Sequence, residues 1–189
     1  MAKRIIVGLS GSSGAIYGAR LVDVLSQLPE VETHLVLTAG ARATISYETR
    51  YEPDEVAAMA DVVYQDTEMG SAIASGTFVT DGMIVAPCSI KTLSSIAQSF
   101  DANLITRAAD VCLKERRKLV LVVRETPLHA GHLRLMSQAT ESGAVILPPV
   151  PGFYTKPTSV DEIVDHTVTK ILDQFGMEAG LIERWSGLS

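Results

Sequence analysis

Short, continuous apolar runs, each followed by a small-residue turn and then an amphipathic stretch, recur along this chain and constrain it more than any other feature. The runs are Arg4 to Leu9, Thr33 to Leu37, Met83 to Ala86, Leu119 to Val123 and Val145 to Leu147. Strands apolar on both faces are those of a parallel sheet covered by helices on each side. The intervening patterns predict helices over Gly14 to Leu28, Ala41 to about Glu48, Ser89 to Phe100, Asn103 to Glu115, Leu133 to Ser142 and Val160 to Phe175. The expected fold is α/β, a three-layer sandwich with a parallel sheet, flavodoxin-like or Rossmann-like, with residues 1–189 as a single domain. Tyr64 to Thr80 and the proline-rich Leu147 to Pro157 read as surface connections.

In such a sheet ligands bind at the carboxyl ends of the strands, so the strand-to-helix turns are where chemistry is expected. The first is Ser10-Gly11-Ser12-Ser13-Gly14-Ala15, opening directly into a helix. Free N–H groups and partial positive charge at a helix start favour a phosphate, and glycines let backbone approach it. The spacing is neither the dinucleotide fingerprint nor a P-loop, so a mononucleotide fits better than NAD or ATP. The second turn, Ala86-Pro87-Cys88-Ser89-Ile90-Lys91-Thr92, combines a proline expected to fix the turn with Ser89 and Thr92, which suit either helix capping or ligand contact.

The net charge of −6 excludes a broad phosphate-neutralising face for nucleic acid, so a bound anion must meet a local cationic cluster. Arg107 and Lys114, seven apart, share one helical face, and Arg124 follows directly on an apolar strand, where solvation explains a charge poorly. Arg124-Glu125 reads either as an active-site pair or as a surface ion pair. No Asp-Asp pair and no Cys-x-x-Cys occurs, and the histidines show no zinc spacing beyond the loose pair His129 and His132, so no metal is expected. Cys88 and Cys112, with no signal-like start and no apolar stretch near the roughly 18 residues of a membrane span, point to reduced thiols and a cytoplasmic protein.

Over nearly its whole length the chain resembles the UbiX-type flavin prenyltransferases, on Gly11-Ser12-Ser13-Gly14-Ala15, Glu48-Thr49, Ala74-Ser75-Gly76, Pro87-Cys88-Ser89, Arg107-Ala108-Ala109-Asp110, Leu113 to Arg117, Arg124-Glu125-Thr126-Pro127, Pro151-Gly152-Phe153-Tyr154 and Arg184-Trp185. The resemblance implies reduced FMN as a substrate, dimethylallyl phosphate as the donor, prenylated FMN delivered to a UbiD-type decarboxylase, and a homo-oligomer, commonly a dodecamer, with sites between subunits. It places Gly11, Ser12, Ser13, Thr38, Ser89, Ile90, Lys91, Thr92 and Arg124 on the flavin, and Lys114, Arg124, Tyr154 and Lys170 on the prenyl phosphate. Glu48 and Glu125 fall near the reacting centre and Ser13 near flavin N5. Lys170 stands where many relatives have Arg, and Met69 where some place Trp. A flavin-dependent cysteine decarboxylase of the same fold would carry a His near the second helix and a Pro-Ala-Ser-Ala-Asn-Thr loop, which this chain lacks, and a simple FMN carrier would leave the cationic cluster unused.

Overall fold

A computed structural model describes residues 2–187. The strands β1 (Lys3–Leu9), β2 (Val31–Leu37), β3 (Val62–Gln65), β4 (Gly82–Cys88), β5 (Lys118–Val123) and β6 (Val145–Ile146) form one parallel sheet in the order β3-β2-β1-β4-β5-β6. This is the doubly wound order, and it reverses between β1 and β4. The helices are α1 (Ala15–Ser26), α2 (Ala39–Glu48), α3 (Pro53–Ala58), α4 (Ile90–Ala97), α5 (Leu104–Lys114), α6 (Ala130–Glu141) and α7 (Val160–Asp173).

Side chains alternate along each strand, and here both sets are buried. Ile5, Val7, Leu9, Ile84 and Val120 pack with α1, α2, α3 and α7, while Ile6, Val36, Met83, Val85 and Leu121 pack with α4, α5 and α6. Each fully buried Ile or Leu contributes about 1.5–3 kcal/mol, so this two-sided burial is what makes the runs continuous rather than alternating. Cys88 and Cys112 are free thiols inside the second layer; burial pushes Cys112 up to about 11 and Cys88 further. Both are packing residues. Helices α2, α4, α5 and α7 start on side-chain caps: Thr38 accepts from Ala41 N–H, Ser89 from Thr92, Asn103 from Thr106 and Ser159 from Glu162.

The expected strands are all present, with three differences. β3 lies inside the segment read as a surface connection; its half-exposed Val62–Gln65 stretch alternates instead of running apolar, as befits a short edge strand. That segment also buries Ile73 at 1% exposure in a 3₁₀ turn, Ala72–Ala74. Pro87, expected in a turn, is inside β4, where the register shift between Val85 and Cys88 accommodates a residue without an N–H. α3 was not expected; Pro53 opens it and Glu52 with Glu55 closes a capping box over only six residues. Among the described residues no helix is long and apolar enough to cross a membrane.

Candidate functional site

At the topological switch the chain binds itself together. Ser10, 2% exposed, donates its hydroxyl to the Pro87 carbonyl at 2.8 Å and accepts the Ser89 N–H at 2.8 Å, while its own N–H reaches Pro87 O at 3.2 Å. A side chain at Gly11 would lie 2.9 Å from the Cα of Gly40, so the turns after β1 and β2 touch through backbone alone. The turns after β1, β2 and β4 are thereby locked at one edge of the sheet.

α1 starts differently from the other long helices. Its N-cap is Gly14 at φ 98°, with no side chain to satisfy the first N–H groups. The Gly14 N–H instead donates to the Glu48 carboxylate at 2.8 Å, from the end of α2. Two residues before it the Ser12 hydroxyl is buried with no hydrogen-bond partner among the described residues. An uncapped helix start, a glycine-only approach and an orphaned hydroxyl together fit an incoming phosphate such as that of FMN.

In front of this turn is a cleft of about 510 Å³ lined by Ser13, Gly14, Tyr17, Tyr47, Glu48, Arg124 and Pro149. Arg124 follows β5, and its N–H is held by the Cys88 carbonyl at 3.2 Å. The ion pairs of the described residues engage other arginines and leave the Arg124 guanidinium without a carboxylate. Its charge is felt by Tyr17, whose phenol burial raises while Arg124 lowers it, the first effect prevailing. The cleft is therefore lined by one arginine outside the ion pairs of the described residues and by one carboxylate, Glu48.

The Flavoprotein family model matches residues 1–172. Flavin prenyltransferase UbiX of Thauera aromatica is 56% identical over 97% of this chain and 94% of its own length, and that of Escherichia coli K12 is 56% identical over 98% and 99%. The chain belongs to the UbiX flavin prenyltransferase family. A crystal structure of AnUbiX in complex with FMN and dimethylallyl pyrophosphate superimposes with a TM-score of 0.97 at 49% identity, covering 100% of both chains. A dodecameric FMN-dependent UbiX-like decarboxylase from Escherichia coli O157:H7 gives 0.95 at 48% identity, covering 97% of this chain and 100% of that one. The cysteine decarboxylase TvaF, 18% identical with a TM-score of 0.63, shares the fold alone.

Of the residues that the UbiX resemblance singled out, the fold gathers Gly11, Ser12, Ser13, Thr38, Glu48, Ser89, Ile90, Lys91, Thr92 and Arg124 at the carboxyl edge. Thr38, Ser89 and Thr92 already spend hydroxyls on capping, and Ile90 and Lys91 offer the free N–H groups of the first turn of α4. Glu125 adjoins Arg124 but forms no pair with it; its carboxylate accepts the Thr126 N–H at 3.0 Å.

Three residues are not brought together with these within one chain. Lys114 ends α5 just before Lys118, which is in register with Gly82 at the amino end of β4, so it sits at the opposite sheet edge, paired with Glu115. Lys170, in the last turn of α7, pairs with Asp173 at 3.5 Å and lines a second groove of about 400 Å³ with Pro148, Val150 and His166. Tyr154 bonds His166. Arg107 leaves the cationic cluster altogether, being held by Asp101, Asp110 and the Ala74 carbonyl.

Sequence reading passed over Ser10, Tyr17 and Tyr47 as site residues. Ser10 had a signal, as a polar residue ending an apolar strand, where a buried hydroxyl must find partners. Nothing in the spacing of Tyr17 or Tyr47 marks them.

Proposed function

We propose that this protein, with residues 1–189 acting as one cytoplasmic flavoprotein domain, is a flavin prenyltransferase. It joins the dimethylallyl group of dimethylallyl phosphate to N5 and C6 of reduced FMN, and the product serves a UbiD-type decarboxylase. The observation that carries this reading is the cleft in which an uncapped helix start, Glu48 and an unpaired Arg124 converge, in a chain 56% identical to flavin prenyltransferase UbiX along nearly its whole length.

Bound reduced flavin supplies the nucleophilic N5 and C6. The chain supplies position and charge. Gly11, Ser12 and Ser13 with the α1 amino end, and Thr38 and Ser89 to Thr92 across the switch point, hold the flavin. Arg124, joined by Lys114, Tyr154 and Lys170, holds the donor phosphate and stabilises it as the allylic C–O bond breaks; such fixed cations in a dry site act without a metal. Glu48 and Glu125 hold and move the protons that ring closure releases, with Ser13 at the flavin N5 side. Because Lys114, Tyr154 and Lys170 lie away from the cleft within one chain, the working unit is a homo-oligomer, a dodecamer, in which neighbouring subunits complete the donor site.

The test is anaerobic incubation of the purified protein with reduced FMN and dimethylallyl phosphate, with EDTA present, followed by mass spectrometry of the flavin. FMN carrying one added dimethylallyl group is expected, with dimethylallyl pyrophosphate as a parallel donor. Flavin bound at one per chain but unchanged in mass would identify a carrier instead, and activity that EDTA abolishes and Mg²⁺ restores would overturn the metal-free chemistry.

A further inference from the structure

Tyr154 is gripped by two aromatic neighbours. Its hydroxyl lies 2.9 Å from Nε2 of His166, the rings meeting edge-on at 75° with centroids 5.6 Å apart, and Trp185 stands edge-on at 5.5 Å. The preceding turn is shaped for this pair: a side chain at Gly152 would lie 3.1 Å from both the His166 and the Tyr154 rings. His166 and Lys170 are one helical turn apart on α7 and line the same groove. His166 thus stands between two residues assigned to the donor phosphate.

A tyrosine hydroxyl has one proton and can give it to only one acceptor. Bare Nε2 would take that proton and leave the oxygen with only its lone pairs, which repel a phosphate, to offer a ligand. Protonated Nε2 donates to the oxygen and frees the tyrosine proton for the phosphate. We propose that His166 is a positioning residue for the prenyl donor: carrying its proton on Nε2, it orients the Tyr154 hydroxyl as a donor to the phosphate oxygens. This rests on the flavin prenyltransferase reading and on Tyr154 as a phosphate contact within it.

The chemistry predicts which replacements work. The amide nitrogen of Gln reaches about as far as Nε2 and can donate in its place, whereas Phe keeps the ring and loses the donor. In the intact oligomer, His166→Phe should raise the KM for dimethylallyl phosphate about 10- to 100-fold, the span of a lost hydrogen bond to a charged group, while kcat and FMN affinity change by less than about threefold. His166→Gln should restore the KM to within about threefold of wild type. Adding His166→Phe to Tyr154→Phe should change the KM no further, because the histidine acts through the tyrosine. FMN binding and oligomer size report that each variant is folded; a variant failing them is replaced by His166→Leu with the same expectation. If Tyr154→Phe raises the KM but His166→Phe does not, or if their effects multiply, or if Gln behaves like Phe, the role given to His166 is wrong. If Tyr154→Phe leaves the KM unchanged while flavin is still prenylated, the placement of Tyr154 on the phosphate fails instead.

Discussion

Around Ser10 the chain crosses itself within hydrogen-bonding distance, and the turns after β1, β2 and β4 are held by buried contacts that need nothing from outside. Among the residues assigned to the donor phosphate the opposite holds. Of these residues Arg124 alone lines the cleft; Lys114 is at the far sheet edge, Tyr154 is bonded to His166, and Lys170, in a second groove, is paired with Asp173. The residues assigned to the flavin are thus gathered within one folded chain, whereas those assigned to the donor are not. A nucleotide site can be prebuilt from helix starts and backbone, which the fold supplies anyway. A site that must concentrate cations around a leaving group would suffer charge repulsion in a single chain without its ligand, and keeping Lys114 and Lys170 apart, each beside a carboxylate of its own chain, relieves it.

This contrast can be broken most decisively by separating the subunits. At dilution or in mild urea, with mass checked by light scattering, FMN should remain bound by the separated chains while prenyl transfer falls by at least about 10³-fold, since the cations that stabilise the leaving group are lost together. A fully active monomer would refute the distributed donor site.

The next largest effect concerns protons. Among the described residues the Glu125 carboxylate bonds only to its own loop, through the Thr126 N–H, and takes no part in the locked turns. Glu125→Gln should therefore keep FMN bound and slow prenyl transfer or ring closure by about 10²- to 10⁴-fold, as lost acid–base catalysis does. Single-turnover absorbance of the flavin measures this. Wild-type rates would remove Glu125 from the mechanism and leave Glu48, which already meets the Gly14 N–H in the cleft, as the proton-handling carboxylate.

Lys170 tests the donor half without touching the flavin half. As a point charge on phosphate, its loss in Lys170→Ala should weaken dimethylallyl phosphate binding by about 1.5–3 kcal/mol, and Lys170→Arg, which adds a planar fork, should retain activity. Donor titrations read by the same flavin absorbance would show it. An unchanged donor affinity in the alanine variant would mean that Lys170 does no more than pair with Asp173, 3.5 Å away.

The two halves also differ in how far they could be read from sequence. Strands buried on both faces write themselves as continuous runs, which is why β1, β2, β4 and β5 were legible, while β3, half exposed at the edge, was not. The glycine and serine turns announce a phosphate because helix-start chemistry is local. Arg124 was legible because a charge ending an apolar strand needs a reason. The seven-residue spacing that joined Arg107 to Lys114 was misleading: the shared face is real, yet Asp101 and Asp110 neutralise the first, and Glu115 holds the second at the far edge. Ion pairing across sequence and assembly between chains leave no period to count. His166 reads as an isolated histidine until the fold sets it against Tyr154.

The smallest effect isolates a single hydroxyl in the prebuilt half. Ser12 Oγ is buried without a partner among the described residues, a state that costs the free protein desolvation and returns nothing until a ligand arrives. Ser12→Ala removes that cost and the ligand contact together, so the two consequences should carry opposite signs. The ligand-free protein should be unchanged or more stable, by up to about 1 kcal/mol in urea unfolding, while FMN binding weakens by about 1 kcal/mol, roughly fivefold in affinity. Donor affinity in the loaded enzyme should not move, because no phosphate-assigned cation touches this turn except Arg124, whose stem is packed against Gly14, where an added Cβ would lie 3.7 Å from it. A loss of stability with unchanged FMN affinity would show instead that the hydroxyl has a structural partner and that the phosphate of FMN lies elsewhere along the α1 start.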